Sequence, residues 1–514
     1  TREDYIGIVK RTIDHFVQGI ESNVRTRVLA NPLVNLRMLF SPTYSRTFRV
    51  GELFEKMLFA KVDDGEGNEP RWIDDLRIHP KGEPTDFNPK SGNWCRNAKV
   101  PMLVLNATTL NTGHSWQFTA SWMGESPAGI DPDVDGNQRL RRMYYHSEAP
   151  PPYDKVRLGC AVGASACVPG LFEPIAFSGL YSDFTVRLVD GGVVDNQGIQ
   201  SLLDQDCSVI VVSDASGQMT TQKEAKGGVL WPLLRMNSAL MERVRQDQFQ
   251  DLKARKESGL IKSLTVVHLK EGLDVEPVNW VDCEEPAEAR TRIKEPTTAH
   301  GIRKDIQELL ASIRTDLDSF SEVEAYALMT SGYRMTEYKA QGIPGTSTEE
   351  APPAEWPFLA VEGPMKEIHA NARAHKLLTR LLEVAGERGF KIWRLSVPLK
   401  VTACATGLLL CAAMAWAWLE YSSQLVLSLT VGHVGWIILS VLLLLALGQL
   451  VVSAFRYRQI LSRFAIAAGL GLLGWLVAQL HLLTFDKWFL KRGRIKAIIG
   501  RDLNSDVQDS RLEH

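Results

Sequence analysis

The sequence predicts an α/β chain: a layered α/β/α domain, of which the second half is present, followed by an α-helical transmembrane region. Three observations predict it. Apolar runs rich in β-branched residues alternate with stretches of helical periodicity over residues 1–340. One of those runs ends in an aspartate set into a double glycine, Val189-Asp190-Gly191-Gly192. The last quarter of the chain is dominated by long apolar stretches.

In chain order, Ile6, Val9, Ile13, Phe16, Val17 and Ile20 recur at helical spacing, so the chain enters directly into a helix. Residues 100–105 (V-P-M-L-V-L) read as a short buried strand that turns over residues 106–113. Further strands are predicted at 186–189, at 207–213 with its β-branched run, and at 264–269. Helical periodicity marks 229–251 and 302–329, the latter through Ile306, Leu309, Leu310, Ile313, Leu317 and Phe320. Residues 341–356 carry prolines, glycines and polar residues and read as a linker, with a charged helix over 365–390.

Asp190 lies at a strand end, where catalytic groups of α/β folds tend to sit, and Gly191-Gly192 suit backbone angles that side chains forbid. A lone Asp-Gly-Gly also suits a hairpin turn. Asp195, five positions on, is expected to be exposed or to cap the next helix. Upstream stands a second block, Gly163-Ala164-Ser165-Ala166-Cys167-Val168-Pro169-Gly170-Leu171-Phe172. The two blocks together resemble the bacterial patatin-like phospholipase family, in which A-S-x-x-x-P-G-x-F precedes D-G-G/A. The stretch from Asn106 to Phe118 is similar to that family's N-A-T-x-L-x-T-G-x-x-W-x-F block, and Ile313–Phe320 with Gly332-Tyr333 resembles a late helix pair. The resemblance covers residues 101–333.

What the resemblance implies is a patatin-like three-layer α/β/α hydrolase, with residues 1–99 forming the lower half of the catalytic domain and a cap. It implies a serine acyl hydrolase acting on membrane phospholipid or another acyl lipid through a Ser-Asp dyad. Asp190 is then the base, Gly191 and Gly192 support it, and neither cofactor nor metal is needed. The dyad requires no histidine, and the histidines are scattered; His268, within an apolar strand, reads as a satisfied core residue.

The serine half requires an exposed G-x-S-x-G elbow between strand and helix. Three near misses occur. Ser115 is followed by bulky Trp116 and Gln117, Ser347 has no strand before it, and Ser165 has Pro169 in the turn that should become a helix. The glycine-rich oxyanion loop expected of the family has no match either. The nucleophile is therefore expected upstream of Thr1; the alternative is a catalytically inactive patatin-like membrane scaffold or sensor.

Composition narrows the classes. With 58 Lys+Arg against 60 Asp+Glu, nothing marks a nucleic-acid binder. Seven cysteines without a C-x-x-C pair point to free thiols in a reducing compartment. Asp131-Pro132-Asp133-Val134-Asp135-Gly136 imitates a calcium loop, but Arg142 stands where a bidentate Glu belongs.

Residues 401–419, 425–455 and 464–485 are long apolar segments, two to three of which are expected to span a bilayer. Lys391, Arg394 and Lys400, then Arg456, Arg458 and Arg463, flank them, so an integral membrane protein with its catalytic domain on the cytoplasmic side is expected. Gly469-Leu470-Gly471-Leu472-Leu473-Gly474 spells a dinucleotide fingerprint, but inside an apolar run it serves helix packing. Cations from Lys487 to Lys496, interleaved with Trp488, Phe489 and Ile495, suggest an amphipathic tail in the headgroups. The expected organisation is a catalytic domain at 1–340, a linker and charged helix at 341–395, transmembrane helices at 396–485 and a basic tail at 486–514.

Overall fold

The computed structural model describes residues 2–31, 44–62, 70–84, 87–126, 138–169, 172–216, 230–274, 295–313, 317–340, 355–367, 372–386, 391–396 and 474–499. Single residues or pairs are also described between 33 and 41, at 133, 136, 224 and 227, and short stretches between 398 and 416. The chain divides into two compact units: residues 1–28, 37–387 and 490–514 form one, and residues 29–36 and 388–489 the other.

The main sheet of the first unit has six strands: β1 (Leu105–Thr109), β2 (Ser115–Phe118), β3 (Trp122–Glu125), β4 (Met143–Tyr144), β5 (Ile175–Tyr181) and β6 (Phe184–Asp190). They lie in the order β4-β3-β2-β1-β6-β5, with every neighbouring pair antiparallel. Tight connections dictate it at β1–β2, β2–β3 and β5–β6, because hairpins can join only antiparallel neighbours. The β1–β2 turn passes through Gly113 at φ +78°, a conformation that favours glycine. A second, parallel pair holds β7 (Val209–Asp214) beside β8 (Ser263–His268), linked through the helix Leu230–Glu257.

This corrects the expected fold class. Strands at 186–189, 207–213 and 264–269 fall where expected, but the principal sheet is antiparallel and not a layered α/β/α sheet. The strand expected at 100–105 begins only at Leu105, and residues 158–162 form part of a helix, Leu158–Ser165.

The transmembrane expectation is corrected as well: among the described residues no helix is long and apolar enough to cross a membrane. The integral-membrane assignment falls with it. Residues 417–473, which hold most of the expected spans, lie outside the described residues, as do Gly469 and Gly471. The described helical run over 474–492 is interrupted by charge at Asp486, Lys487, Lys491 and Arg492, whereas a span needs roughly 20 apolar residues in a row.

The core of the main sheet is built from Trp116, Phe118, Met123, Val186 and Leu188, none more than 0% exposed, with Ala161 and Ala164 of the helix Leu158–Ser165 against them. Trp116 meets Phe118 edge-on, as Phe118 meets Phe177. A second helix, Arg46–Met57, crosses Leu158–Ser165 at two glycines. A Cβ on Gly51 would stand 2.2 Å from the Gly159 carbonyl oxygen, and one on Gly159 would stand 2.3 Å from that of Gly51. Glu55 bolts the crossing, accepting from Gly159 N at 3.1 Å and from Arg157 Nε at 3.1 Å.

Gly51→Ala should therefore cost about 1–3 kcal/mol, since the obstruction is backbone and not a flexible side chain. Gly332→Ala, in the helix Glu322–Ala340 with nothing within 4 Å of the added Cβ, should instead stabilise by roughly 0.5–1 kcal/mol. Denaturant melts of the two variants check this, and equal effects would contradict the close-crossing account.

The single helix expected over 302–329 is two, Lys304–Ala311 and Glu322–Ala340. Leu317 takes φ +58° between them, and Ser321 and Glu324 form a reciprocal cap, with Ser321 N donating to Glu324 Oε2 at 2.5 Å and Glu324 N donating to Ser321 Oγ at 3.3 Å.

Candidate active site at the Asp190-Gly191-Gly192 turn

Asp190 is the last residue of β6, opposite Ala107 of β1, and the short helix Gly192–Asp195 starts two residues on. Three hydrogen bonds to the backbone of Asp190 and Gly191 fix the turn there. Asp190 N donates to Cys167 O at 2.9 Å, Gly191 N to Ser165 O at 3.4 Å, and Thr108 Oγ1 donates to Asp190 O at 2.9 Å. The two sequence blocks that suggested a common site are thus brought together: the Ser165–Cys167 segment runs beside the end of β6.

The glycines act differently from expectation. Gly191 sits at φ −62°, ψ −27°, ordinary right-handed backbone, and Gly192 is not in the left-handed region either. Space is the reason for both. A Cβ on Gly191 would lie 2.5 Å from Asn106 O; one on Gly192 would lie 2.5 Å from Asn196 Oδ1 and 3.0 Å from Asp190 Oδ1. Any side chain at 192 would push on the carboxylate itself.

Gly192 N donates to Asp190 Oδ1 at 2.7 Å, and among the described residues no hydrogen bond reaches Oδ2. Burial raises the Asp190 pKa above its ordinary 3.8, and the Gly192 bond offsets this only in part. The result is an anchored carboxylate of raised proton affinity with one oxygen open.

Neighbouring aspartates are closed by comparison. Asp195 was expected to be exposed or capping; it caps, and it is buried at 3% exposure. Its oxygens accept from Ile199 N and Gln200 N, both at 2.9 Å, and from Gln248 Nε2 at 3.0 Å. Asp214, ending β7, accepts from Arg245 Nε at 2.6 Å and Ser216 N at 3.0 Å. Neither has an oxygen to spare in the way Asp190 does.

Neither of the two near-miss serines among the described residues stands on an elbow. Ser115 is buried within β2, Ser165 closes a helix instead of following a strand, and Ser347 lies outside the described residues. Cys167, beside Asp190, has its thiol pushed up to about 11 by burial, against a hydrogen bond with Thr47 that lowers it. It is therefore protonated at neutral pH and a poor nucleophile. His268 differs from the satisfied core residue expected: among the described residues its buried Nδ1 has no hydrogen-bond partner, and burial lowers its pKa. Asp133 and Gly136 of the calcium-loop imitation are described singly, and the rest of that loop lies outside the described residues. Among the described residues no group of His, Cys, Asp and Glu could hold a metal ion.

A polar network behind β1 escaped the sequence reading. Gln117 Nε2 donates to Ser201 Oγ at 3.1 Å and to Asp204 Oδ2 at 3.0 Å, and Ser201 Oγ donates to Asn106 Oδ1 at 2.7 Å. Arg142 lies 3.9 Å from the centre of the Trp122 ring and bonds Gln117 Oε1. The network holds Asn106, whose carbonyl sets the space available to Gly191. Its sequence signal was the polar alternation within Asn106–Phe118, hidden because β2 reads as too short and too mixed for a strand.

No family model, no curated protein and no solved structure matches the chain.

Proposed function

We propose that this chain carries the base half of a serine acyl hydrolase acting on acyl lipids, with Asp190 taking the proton of a serine supplied N-terminal to Thr1. The observation that carries the reading is the open Oδ2 of Asp190 on a carboxylate whose other oxygen is fixed at 2.7 Å by Gly192. A general base must be held in place yet keep one lone pair free, and a proton affinity raised by burial suits it to accept a hydroxyl proton. In the step, the serine Oγ bonds to the ester carbonyl carbon as its proton passes to Asp190. The tetrahedral intermediate then expels the alcohol, which takes that proton back, and water repeats the sequence to release the acid.

The test is to treat the longest product of the gene with a fluorophosphonate, which marks activated serines, and to map the adduct by mass spectrometry. A label on a serine preceding Thr1, lost in Asp190→Asn, is expected. A label on Ser165 or Ser115 would overturn the assignment of the partner serine. No label and no ester turnover would leave the inactive scaffold as the correct reading.

A further inference from the structure

Asn196 stands over the turn that carries Asp190. It follows the short helix Gly192–Asp195 at φ −67° and ψ −28°, one helical turn beyond Gly192 and on the same side. The three atoms nearest a Cβ at Gly192 belong to two side chains: Asn196 Oδ1 at 2.5 Å, Asp190 Oδ1 at 3.0 Å and Asn196 Cγ at 3.3 Å. The space that the glycine leaves is therefore shared by an amide and a carboxylate lying side by side. Asp190 is half-buried, whereas Asn196 is exposed. Among the described residues no hydrogen bond engages the Asn196 carboxamide.

An ionised carboxylate can only accept a hydrogen bond, while an amide beside it can also donate one. The terminal torsion of asparagine is broad, so a half-turn brings Nδ2 toward Asp190 in place of Oδ1. Such a pair suits a hydroxyl group that gives its proton to the carboxylate and accepts from the amide. A nucleophilic serine is set by its own backbone and needs no second hold. Water has no such tether, and it arrives from the solvent side, where Asn196 lies. We propose that Asn196 is a positioning residue for the water that cleaves the acyl-enzyme, an inference that rests on the hydrolase reading above. Asn196 Nδ2 donates to one lone pair of the water oxygen, and the water donates to Asp190 Oδ2. The second lone pair is thereby aimed at the acyl carbon. As the oxygen bonds to that carbon its proton passes to Asp190; the bond from the carbon to the serine Oγ then breaks, and Oγ takes the proton back. The acid leaves and the serine is restored.

Kinetics of the longest gene product test it, with a fluorophosphonate and a short-chain p-nitrophenyl ester as probes. The fluorophosphonate reports the serine and Asp190 alone, so Asn196→Ala should label within about twofold of the wild-type rate. With the nitrophenyl ester, the burst that reports acylation should keep its rate, while the steady-state slope that reports the water step falls roughly 10–100-fold. Asn196→Asp keeps the shape but sets a second carboxylate beside the base, so the acid limb of steady-state turnover should move to higher pH. Thermal melts of both variants at pH 7 should stay close to wild type, since the side chain is exposed. Equal slowing of burst and steady state in Asn196→Ala overturns the inference, because it would make Asn196 a support of Asp190 and not of the water. Unchanged turnover in Asn196→Ala, or an unmoved acid limb in Asn196→Asp, overturns it as well. A wild type that neither labels nor turns over the ester overturns the hydrolase reading and this inference with it, whereas an active wild type confines any failure to Asn196.

Discussion

Asp190→Asn is expected to lower ester turnover roughly 10²–10⁴-fold while the melting temperature at pH 7 stays level or rises. The substitution keeps the shape of the side chain and an oxygen for the Gly192 N–H, which lies 2.7 Å away, but it cannot take a proton. The stability side follows from linkage. Burial raises the folded pKa of Asp190 above 3.8, so the ionised form is disfavoured in the folded state. That penalty is absent below pH 3.8, grows as pH rises toward the folded value and is fully present above it; Asn escapes it. Burial raises the Asp195 pKa above 3.8 as well, against its hydrogen bonds, but Asp195→Asn should differ because its oxygens are occupied. Two backbone donors and Gln248 converge on Asp195, and an amide group would turn a donor toward one of them, costing about 1–3 kcal/mol. Turnover per folded molecule should survive within a few-fold. Assays and melts on both variants decide the matter: if Asp195→Asn abolishes turnover and Asp190→Asn retains it, the base has been misassigned.

The two aspartates also mark how far the sequence could be read. That Asp190 ends a strand was legible, because F-T-V-R-L-V-D is apolar at alternate positions and stops at glycine. Which aspartate has a free oxygen was not, because the donors that close Asp195 and Asp214 come from residues as distant as Gln248 and Arg245. The glycine pair was legible as a constraint, but a sequence does not distinguish a demand for unusual backbone angles from a demand for space. Here the neighbour is Asn106 O, some 85 positions earlier in the chain.

The strands β7 and β8 were readable as β-branched runs, whereas β2 (S-W-Q-F) and β3 (W-M-G-E) are too short and polar to declare themselves. Without them the sheet looked like a layered α/β arrangement instead of an antiparallel one. The break between the helices Lys304–Ala311 and Glu322–Ala340 had a readable sign in Ser321-Glu322-Val323-Glu324, the spacing of a reciprocal cap. Helical periodicity running through Leu317 and Phe320 concealed it.

Asp214→Ala should be the costliest single change to stability, at about 3–5 kcal/mol. The Asp214 and Arg245 side chains are only 1% and 13% exposed, and they meet at 2.6 Å. Removing the carboxylate leaves the Arg245 guanidinium, nearly out of water, with Glu242 as its remaining acidic partner at 3.1 Å, and strips Ser216 N and Gln197 Nε2 of their acceptor at the end of β7. Asp251 and Arg255 meet at a similar 2.7 Å but are 50% and 40% exposed, so Asp251→Ala should cost under about 1 kcal/mol. Distance differs by only 0.1 Å between the two pairs; solvent makes the difference. Burial pushes the Asp214 pKa up, but the Ser216 and Arg245 bonds outweigh it and hold the group below 3.8. Its contribution is therefore fully present above the unfolded value and is lost as pH falls through the lower, folded one. Urea unfolding of wild type and Asp214→Ala should show a wide gap at pH 7 that narrows as the pH drops below 3.8. A loss no larger than that of Asp251→Ala, or a gap that widens in acid, would show that the ion pair does not hold the end of β7 to the helix Leu230–Glu257.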